Sequence, residues 1–405
     1  MKRYKKLTIL HSNDMHGDFF AEEENKALIW GISRLSWYIQ KTREEEKNCI
    51  YTISGDMFQW SVIDNEYKWV STIDIMNILN PDVVTLWNHE IDYGLAHLLF
   101  LEKIAMFPII NANLYIKPSH TRLFKPHYIK EVDGMKILFI GIITEEVLSK
   151  VAGDKMISTF VWIQDAAREV EKICNSYKAV DIDFTVLLTH IGYENDIKMA
   201  KLLNPELWVD VIIWWHSHTL LEKPTKVNDI QIVQVGVWTD QIWRFDIKVD
   251  TKDNNIEEFT RKSIPITPEN CPRNLKLEQI LNWYKWETDK KYGRILSKMK
   301  RDLTHPKREN ESEVWNLFTD IFKECLWLDM MCLGAGSLRN KKLDSIVTLW
   351  ELKEMYPYWW PIVSVKITGK DIKNMKRYKK LTILHSNDMH GDFFAEEENT
   401  YLHIL

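Results

Sequence analysis

Eight short runs rich in Val, Ile and Leu recur between Lys5 and Val237: "KKLTILH", "CIYTISGD", "DVVTLWN", "FPIINANL", "MKILFIGII", "FTVLLTH", "DVIIWWH" and "IQIVQVGV". Runs this apolar on both faces read as strands buried on both faces. Between them, "STIDIMNIL", "AHLLFLEKI" and "IQDAAREVEKICNSY" space their apolar residues as helices do. Strands and helices alternating in this way predict an α/β fold with largely parallel sheets. In such folds the loops at the carboxyl ends of the strands carry the chemistry.

Polar residues sit directly after five of the runs, as Asp14-x-His16, Gly55-Asp56, Asn88-His89-Glu90, Thr189-His190 and His216-Ser217-His218. Asp56 offers a carboxylate able to bridge two cations, Asn88 a neutral oxygen, and the histidines imidazoles suited to zinc, manganese or iron. Two cations roughly 3.5–4 Å apart can hold a hydroxide between them and clamp a phosphate for in-line attack. Each residue alone has a plainer reading. Asp14 and Asn88 could cap helices, and His190 could be a hydrogen-bonded core histidine. Together, the set points to a two-metal phosphoesterase.

The surrounding residues resemble a known family. "LTILHSNDMHGDFF", "SGDMFQWS", "LWNHEIDYG", "LLTHIGYEND" and "VDVIIWWHSHT" are similar to the five blocks of the 5'-nucleotidase family of calcineurin-like metallophosphatases, and the likeness runs to about Lys373. The resemblance implies a four-layer α/β/β/α sandwich, then a linker helix and a partial α/β nucleotide-specificity domain. It implies two divalent metal ions of the zinc, manganese or iron class. Asp14, His16, Asp56 and His218 would bind one ion and Asp56, Asn88, His190 and His216 the other, with Asp56 bridging. His89 would be the catalytic histidine that stabilises the phosphoryl group and protonates the leaving oxygen, with Asp92 orienting it. His11 reads as a strand-packing residue. His97, His120, His127, His305 and His403 belong to no motif and read as structural or surface residues.

Composition narrows the class further. A net charge of −5, mixed along 405 residues, gives no nucleic-acid-binding surface. The five cysteines (Cys49, Cys174, Cys271, Cys325, Cys332) are odd in number and lack paired metal spacing, so they read as reduced thiols. Met1 to Lys6 is basic, but the apolar run from Leu7 to Leu10 is too short for a signal peptide and leads straight into the first metal motif. No stretch has the length of a membrane span. These features predict a cytoplasmic protein.

Tryptophan is the anomaly. The chain has 18, beside only 14 glycines, about half the ordinary glycine share of roughly 7%. Trp87 stands where the resemblance expects the glycine of "GNHE", and Trp214-Trp215 where it expects "GGHSH". Trp60, Trp238, Trp243, Trp359 and Trp360 also fall where glycine or a turn is expected. An indole at Trp87 or Trp215 would crowd a phosphate pocket whose loops use glycine for close backbone approach. Two accounts fit. The indoles form an aromatic-rich variant of the site, or UGA codons that mean glycine stand here as tryptophan. Glycine at all 18 would raise its share to about 8%, near the ordinary value.

Met375 to Asn399 repeats Met1 to Asn25 without a difference, before a tail from Thr400 to Leu405. Repeat folds need several diverged copies to build a core, so one perfect copy reads as an assembly join or a recent duplication. Asp388 and His390 come with it, but no second set of the other ligands does. The expected division is a phosphatase domain over 1–260, a linker with a helix over 261–300 reaching about Met299, and a partial C-terminal domain over 301–374. The copy at 375–399 and the tail at 400–405 follow. Within "GAGSLRN", Arg339 would by resemblance contact substrate phosphate or carboxylate. Tyr358 would stack on the base, or is a packed loop aromatic. That domain stops where the copy begins, without the second stacking aromatic and final strands the resemblance expects.

The function implied is release of phosphate from nucleoside 5'-monophosphates or related nucleotides by a metal-bridging hydroxide. A 2',3'-cyclic nucleotide or nucleotide-sugar phosphoesterase fits the same ligands, as does a catalytically silent metal-binding scaffold. A DNA nuclease on this fold is disfavoured by the charge pattern and the "NHEIDYG" block. The expected partner is a nucleotide substrate, with no nucleic acid and no membrane.

Overall fold

A computed structural model describes residues 3–13, 15–24, 27–29, 31–55, 57–58, 61–86, 93–116, 119, 121–143, 157–159, 162–214, 224–234, 239–306, 310–328, 331, 333–334 and 337–357. The chain forms two compact units, 1–59 with 63–284 and 60–62 with 285–405.

Two six-stranded sheets build the first unit. In chain order their strands are β1 (Tyr4–Ser12), β2 (Cys49–Ile53), β3 (Val83–Thr85), β4 (Ile109–Ile110), β5 (His127–Val132), β6 (Met135–Ile143), β7 (Phe184–His190), β8 (Val211–Trp214), β9 (Thr225–Val227), β10 (Ile230–Val233), β11 (Gln241–Asp250) and β12 (Asn255–Pro265). One sheet runs β12-β11-β1-β2-β3-β4 and the other β9-β10-β8-β7-β6-β5. The central strands of each pair in parallel, as β1-β2-β3-β4 and as β6-β7-β8-β10. Each predicted apolar run contributes a strand. The β11–β12 hairpin is the addition, and its Ile242, Phe245, Ile247 and Val249 are buried.

The sheets pack face to face. Leu7 and Ile9 of β1, Ile137 and Phe139 of β6, Val186 and Leu188 of β7 and Phe245 of β11 share one core with Ile50, Val83, Val211 and Val233. Each such side chain contributes roughly 1.5–3 kcal/mol of burial. Period-two alternation sends Leu138, Ile140, Leu187 and Ile212 to the other face. There they meet Ala166, Val170 and Ile173 of one helix (Ile163–Ser176) and Met199 and Ala200 of another (Tyr193–Leu202). Ile32–Glu45 packs against β2 on the opposite side. The result is the expected α/β/β/α sandwich.

Gly141 of β6 marks a tight approach of the sheets. A Cβ there would lie 2.5 Å from Thr85 Oγ1 and 2.6 Å from the Ile110 carbonyl oxygen. Just beyond, Asn113 donates from its amide to the Ile143 carbonyl at 2.8 Å and accepts from the Ile143 N–H at 3.0 Å, fastening the end of β6.

The linker helix is shorter than predicted. It spans Leu275–Tyr292 and stops at Gly293, whose N–H caps the Asp289 carbonyl at 2.7 Å. Ile295–Lys298 is instead a strand paired with Ile346–Thr348, so the charged run does not stay helical to Met299. In the second unit, Glu313–Cys325 begins at Ser312, whose hydroxyl accepts the Trp315 N–H at 3.2 Å. Leu349–Met355 opens with a capping box of Thr348 and Glu351. Phe318, Leu338, Leu343, Val347 and Met355 form the core there.

Candidate metal centre

Register brings the motif-bearing loops to one edge. His11 of β1 lies beside Thr52 of β2, Ser12 beside Ile53, and Ile53 beside Val84 of β3. The ends of these three parallel strands therefore lie side by side, and positions 14, 56 and 88 follow them in sequence. In the other sheet, β7 ends at His190 beside Ile143, and Thr189 pairs with Trp214 at the end of β8. Strand β7 packs against β3 across the sheet interface.

Hydrogen bonds tie the first two loops together. Ser54 N–H donates to the Ser12 carbonyl at 3.3 Å, and Gly17 N–H to the Met57 carbonyl at 3.2 Å. His16 Nδ1 lies 3.4 Å from the Phe58 carbonyl oxygen. The carbonyl can only accept, so the Nδ1 tautomer is protonated and Nε2 is the atom suited to a metal. His16 itself has φ 45°, and Gly17 and Gly55 have φ 71° and 87°. Left-handed backbone at these glycines lets the two loops turn sharply and interlock. Asp18 secures the far end, accepting the Thr239 N–H at 3.0 Å and its hydroxyl at 2.7 Å.

Two of the seven candidate ligands, His16 and His190, are described, and both are buried, 3% and 1% exposed. Asp14, Asp56, Asn88, His216 and His218 lie outside the described residues, as do His89 and Asp92. Their neighbours in sequence are placed: Asn13, Met15, Gly55 and Met57 are all buried. Among the described residues no three His, Cys, Asp or Glu side chains converge as a metal site. The donor types nonetheless suit a divalent cation, since His16 and His190 both offer imidazole nitrogens.

A further pair was not singled out from sequence. Asp196, fully buried on the Tyr193–Leu202 helix, accepts the Thr189 hydroxyl at 2.6 Å. Burial pushes its carboxyl well above the usual range, against the lowering effect of that hydrogen bond. An Asp six residues beyond a strand-ending His, on the next helix turn, was the available signal.

The other histidines take the plain roles expected. Burial drives His11 down to about 3, so its imidazole stays neutral in the sheet. His97 Nε2 bonds the Lys68 carbonyl at 2.6 Å, His127 Nε2 the Tyr177 hydroxyl at 2.6 Å, and His305 Nδ1 the Ser312 hydroxyl at 2.6 Å. His120 and His403 lie outside the described residues. A cleft of about 490 Å³ lined by Arg3, Lys136 and Asp183 sits at the amino ends of β1, β6 and β7, away from the motifs.

In the second unit, half-buried Arg339 donates its backbone N–H to the Met355 carbonyl at 2.9 Å. Tyr358 and the copy at 375–399 lie outside the described residues. Trp243 is no loop residue: it pairs with His11 and Ser263 inside β11, and Arg261 stacks on its ring at 4.1 Å. Trp214 ends β8, stacked on Tyr193 with ring centroids 5.2 Å apart. Among the described residues no helix is long and apolar enough to cross a membrane.

No family model matches the chain. It is 29% identical over 355 residues to a 5'-nucleotidase-related protein of Glossina morsitans morsitans, covering 78% of this chain and 61% of that one. It is 23% identical over 416 residues to the 5'-nucleotidase of Mus musculus, covering 91% of this chain and 70% of the relative. The crystal structure of a 5'-nucleotidase precursor from Thermus thermophilus superposes with a TM-score of 0.76 at 23% identity, over 87% of this chain and 74% of that one. The chain thus spans about three-fifths of the length of the Glossina relative. Fold, strand-end motifs and relatives agree: this chain is similar to 5'-nucleotidases of the calcineurin-like metallophosphatase family in sequence and shares their fold.

Proposed function

We propose that the protein is a divalent-metal-dependent phosphoric ester hydrolase that releases phosphate from nucleoside 5'-monophosphates or related nucleotides. The observation that carries this reading is the interlock of the loops after β1 and β2, with His16 Nδ1 held by the Phe58 carbonyl. A protein without a metal at this edge has little use for a histidine buried on left-handed backbone.

Asp14, His16, Asp56 and His218 would hold one cation, and Asp56, Asn88, His190 and His216 the other. When bound, the cations supply charge to the phosphoryl oxygens and lower the pKa of a nearby water. His89 stabilises the phosphoryl group and gives its proton to the departing nucleoside oxygen, and Asp92 orients the ring. The region 1–260 carries this chemistry and 301–374 the recognition of the nucleoside, with Arg339 on an anionic group of the substrate and Tyr358 on the base. The Glossina and mouse relatives, named for nucleotidase activity, support the substrate class.

The test is phosphate release by purified protein supplied with manganese or zinc. A panel of nucleoside 5'-monophosphates, 2',3'-cyclic nucleotides and nucleotide sugars distinguishes the substrate classes. Release from the monophosphates, lost with a chelator and in H89A, is expected. Folded, metal-loaded protein that hydrolyses none of the panel would establish the silent scaffold instead.

A further inference from the structure

Three tryptophans sit on backbone that tryptophan avoids. Trp69 has φ 68° and ψ −1°, Trp208 has φ 48° and ψ 51°, and Trp327 has φ 55°. In this left-handed region an L side chain crowds the adjoining peptide, and a bulky one is an outlier. Among the described residues, the remaining positive-φ positions that are not glycine are mostly Asn and Asp: Asn80, Asp133, Asn228, Asp229 and Asn254. Those short polar side chains tolerate the conformation through local hydrogen bonds. An indole has no such compensation.

Each of the three also occupies a place where glycine serves a structural purpose. Trp208 closes the short Pro205–Leu207 turn, its N–H on the Pro205 carbonyl. Trp327 follows the cap residue Leu326 of the Glu313–Cys325 helix, the position at which helices recruit left-handed glycine. Trp69 turns the chain into the Val70–Leu79 helix. Packing does not reward the indole at two of them, because Trp208 is 60% and Trp327 94% exposed. Trp69 differs in being buried and stacked on Phe58, with ring centroids 4.9 Å apart, but its Nε1 has no hydrogen-bond partner among the described residues, which buried indoles usually find.

Other tryptophans behave as tryptophans. Trp315 lies within a helix and donates from Nε1 to the Leu333 carbonyl at 2.6 Å. Trp350 lies within a helix, is buried, and carries Lys285 Nζ 4.4 Å over its ring. Among the described residues, Trp315 and Trp350 use their side chains, Trp208 and Trp327 rest exposed on the backbone of glycine, and Trp69 joins that backbone to a packed ring.

We infer that positions 69, 208 and 327 are glycine in the protein as its own cell makes it, encoded by UGA read as glycine, while Trp315 and Trp350 are tryptophans encoded by UGG. The inference sharpens the compositional signal: recoding applies to one population and not to all 18 tryptophans. The same decoding at Trp87 and Trp215 places glycine immediately before Asn88 and His216. Both positions lie outside the described residues.

Peptide mass spectrometry of the protein from its native source, with the codons at these five positions, tests the inference. Glycine masses and UGA at 69, 208 and 327, with tryptophan masses and UGG at 315 and 350, are expected. A tryptophan mass at 69, 208 or 327 overturns it. A second measurement uses the chain as written, expressed in a host that reads these codons as tryptophan. W208G and W327G should each raise the melting temperature, by roughly 1–2 °C for a chain of 405 residues, whereas W315G and W350G lower it. No rise in either W208G or W327G removes the backbone argument. Neither readout involves phosphate release, so this inference and the proposed hydrolase activity succeed or fail separately.

Discussion

Thr189 donates its hydroxyl to Asp196 Oδ1 at 2.6 Å, one residue before His190. The bond joins the end of β7 to the helix that covers it, and both partners are fully buried. Burial raises the Asp196 carboxyl above its ordinary range, so between the unfolded and folded pKa values the native state binds the extra proton. Stability contributed by Asp196 is therefore greatest at low pH and falls as pH rises through that interval. D196N, which keeps the acceptor and has no charge to bury, should flatten this pH dependence, read as denaturation midpoints from pH 4 to 8. D196A should cost about 1–3 kcal/mol by leaving the Thr189 hydroxyl unsatisfied. An unchanged pH profile in D196N would count against the assignment.

Gly141 predicts a purely steric effect. In G141A the new methyl group meets Thr85 Oγ1 and the Ile110 carbonyl at 2.5 and 2.6 Å, and the two sheets must part. A loss of about 1–3 kcal/mol in urea unfolding is expected. G134A is the contrast in space, since the nearest atom there is the flexible end of Lys5 at 3.4 Å, although its φ of 68° adds backbone strain. Equal stability of G141A and the parent would show that the sheets do not approach as described.

For the proposed metal centre, calorimetric titration of metal into stripped protein should give two ions per chain. H16A should lose one and with it phosphate release. At a free metal concentration of about 100 Kd, metal should add about 2.7 kcal/mol of stability per site. Retention of both ions and full activity in H16A would remove His16 from the ligand set.

In the second unit, Glu313 accepts from Arg301 at 2.6 and 3.0 Å and from the Thr304 N–H at 3.0 Å. The Arg301 hydrogen bonds lead in lowering its carboxyl to about 2. A depressed folded pKa contributes stability that is present above the unfolded value of about 4.3 and is lost as pH falls toward about 2. E313Q should melt lower than the parent at pH 7 and converge with it near pH 2. Parallel melting curves at both pH values would refute the pairing.

Most of the sheet framework was legible because buried parallel strands are written as apolar runs, and eight such runs became strands. The β11–β12 hairpin was passed over, although "IWRFDIKVD" alternates apolar and polar residues as a half-buried strand does. The linker helix was overextended past Gly293, because charged residues on both sides masked the stop. Resemblance expects glycine or a turn at Trp243, whereas the alternation around it is that of the strand it occupies. The ligand candidates were legible as residue types after strands. Their mutual placement was not, since it depends on which strands lie side by side.

By itself, the sequence determined the class of fold, the family resemblance and which residues are candidates to bind metal, because burial and donor chemistry are properties of local residue type. Tertiary structure decided the order of the strands, the hydrogen bonds that join the segments after β1 and β2, and which of the described tryptophans rest on glycine's backbone. These features depend on pairings between residues far apart in the chain and on dihedral angles imposed by packing. No local pattern of residues encodes either.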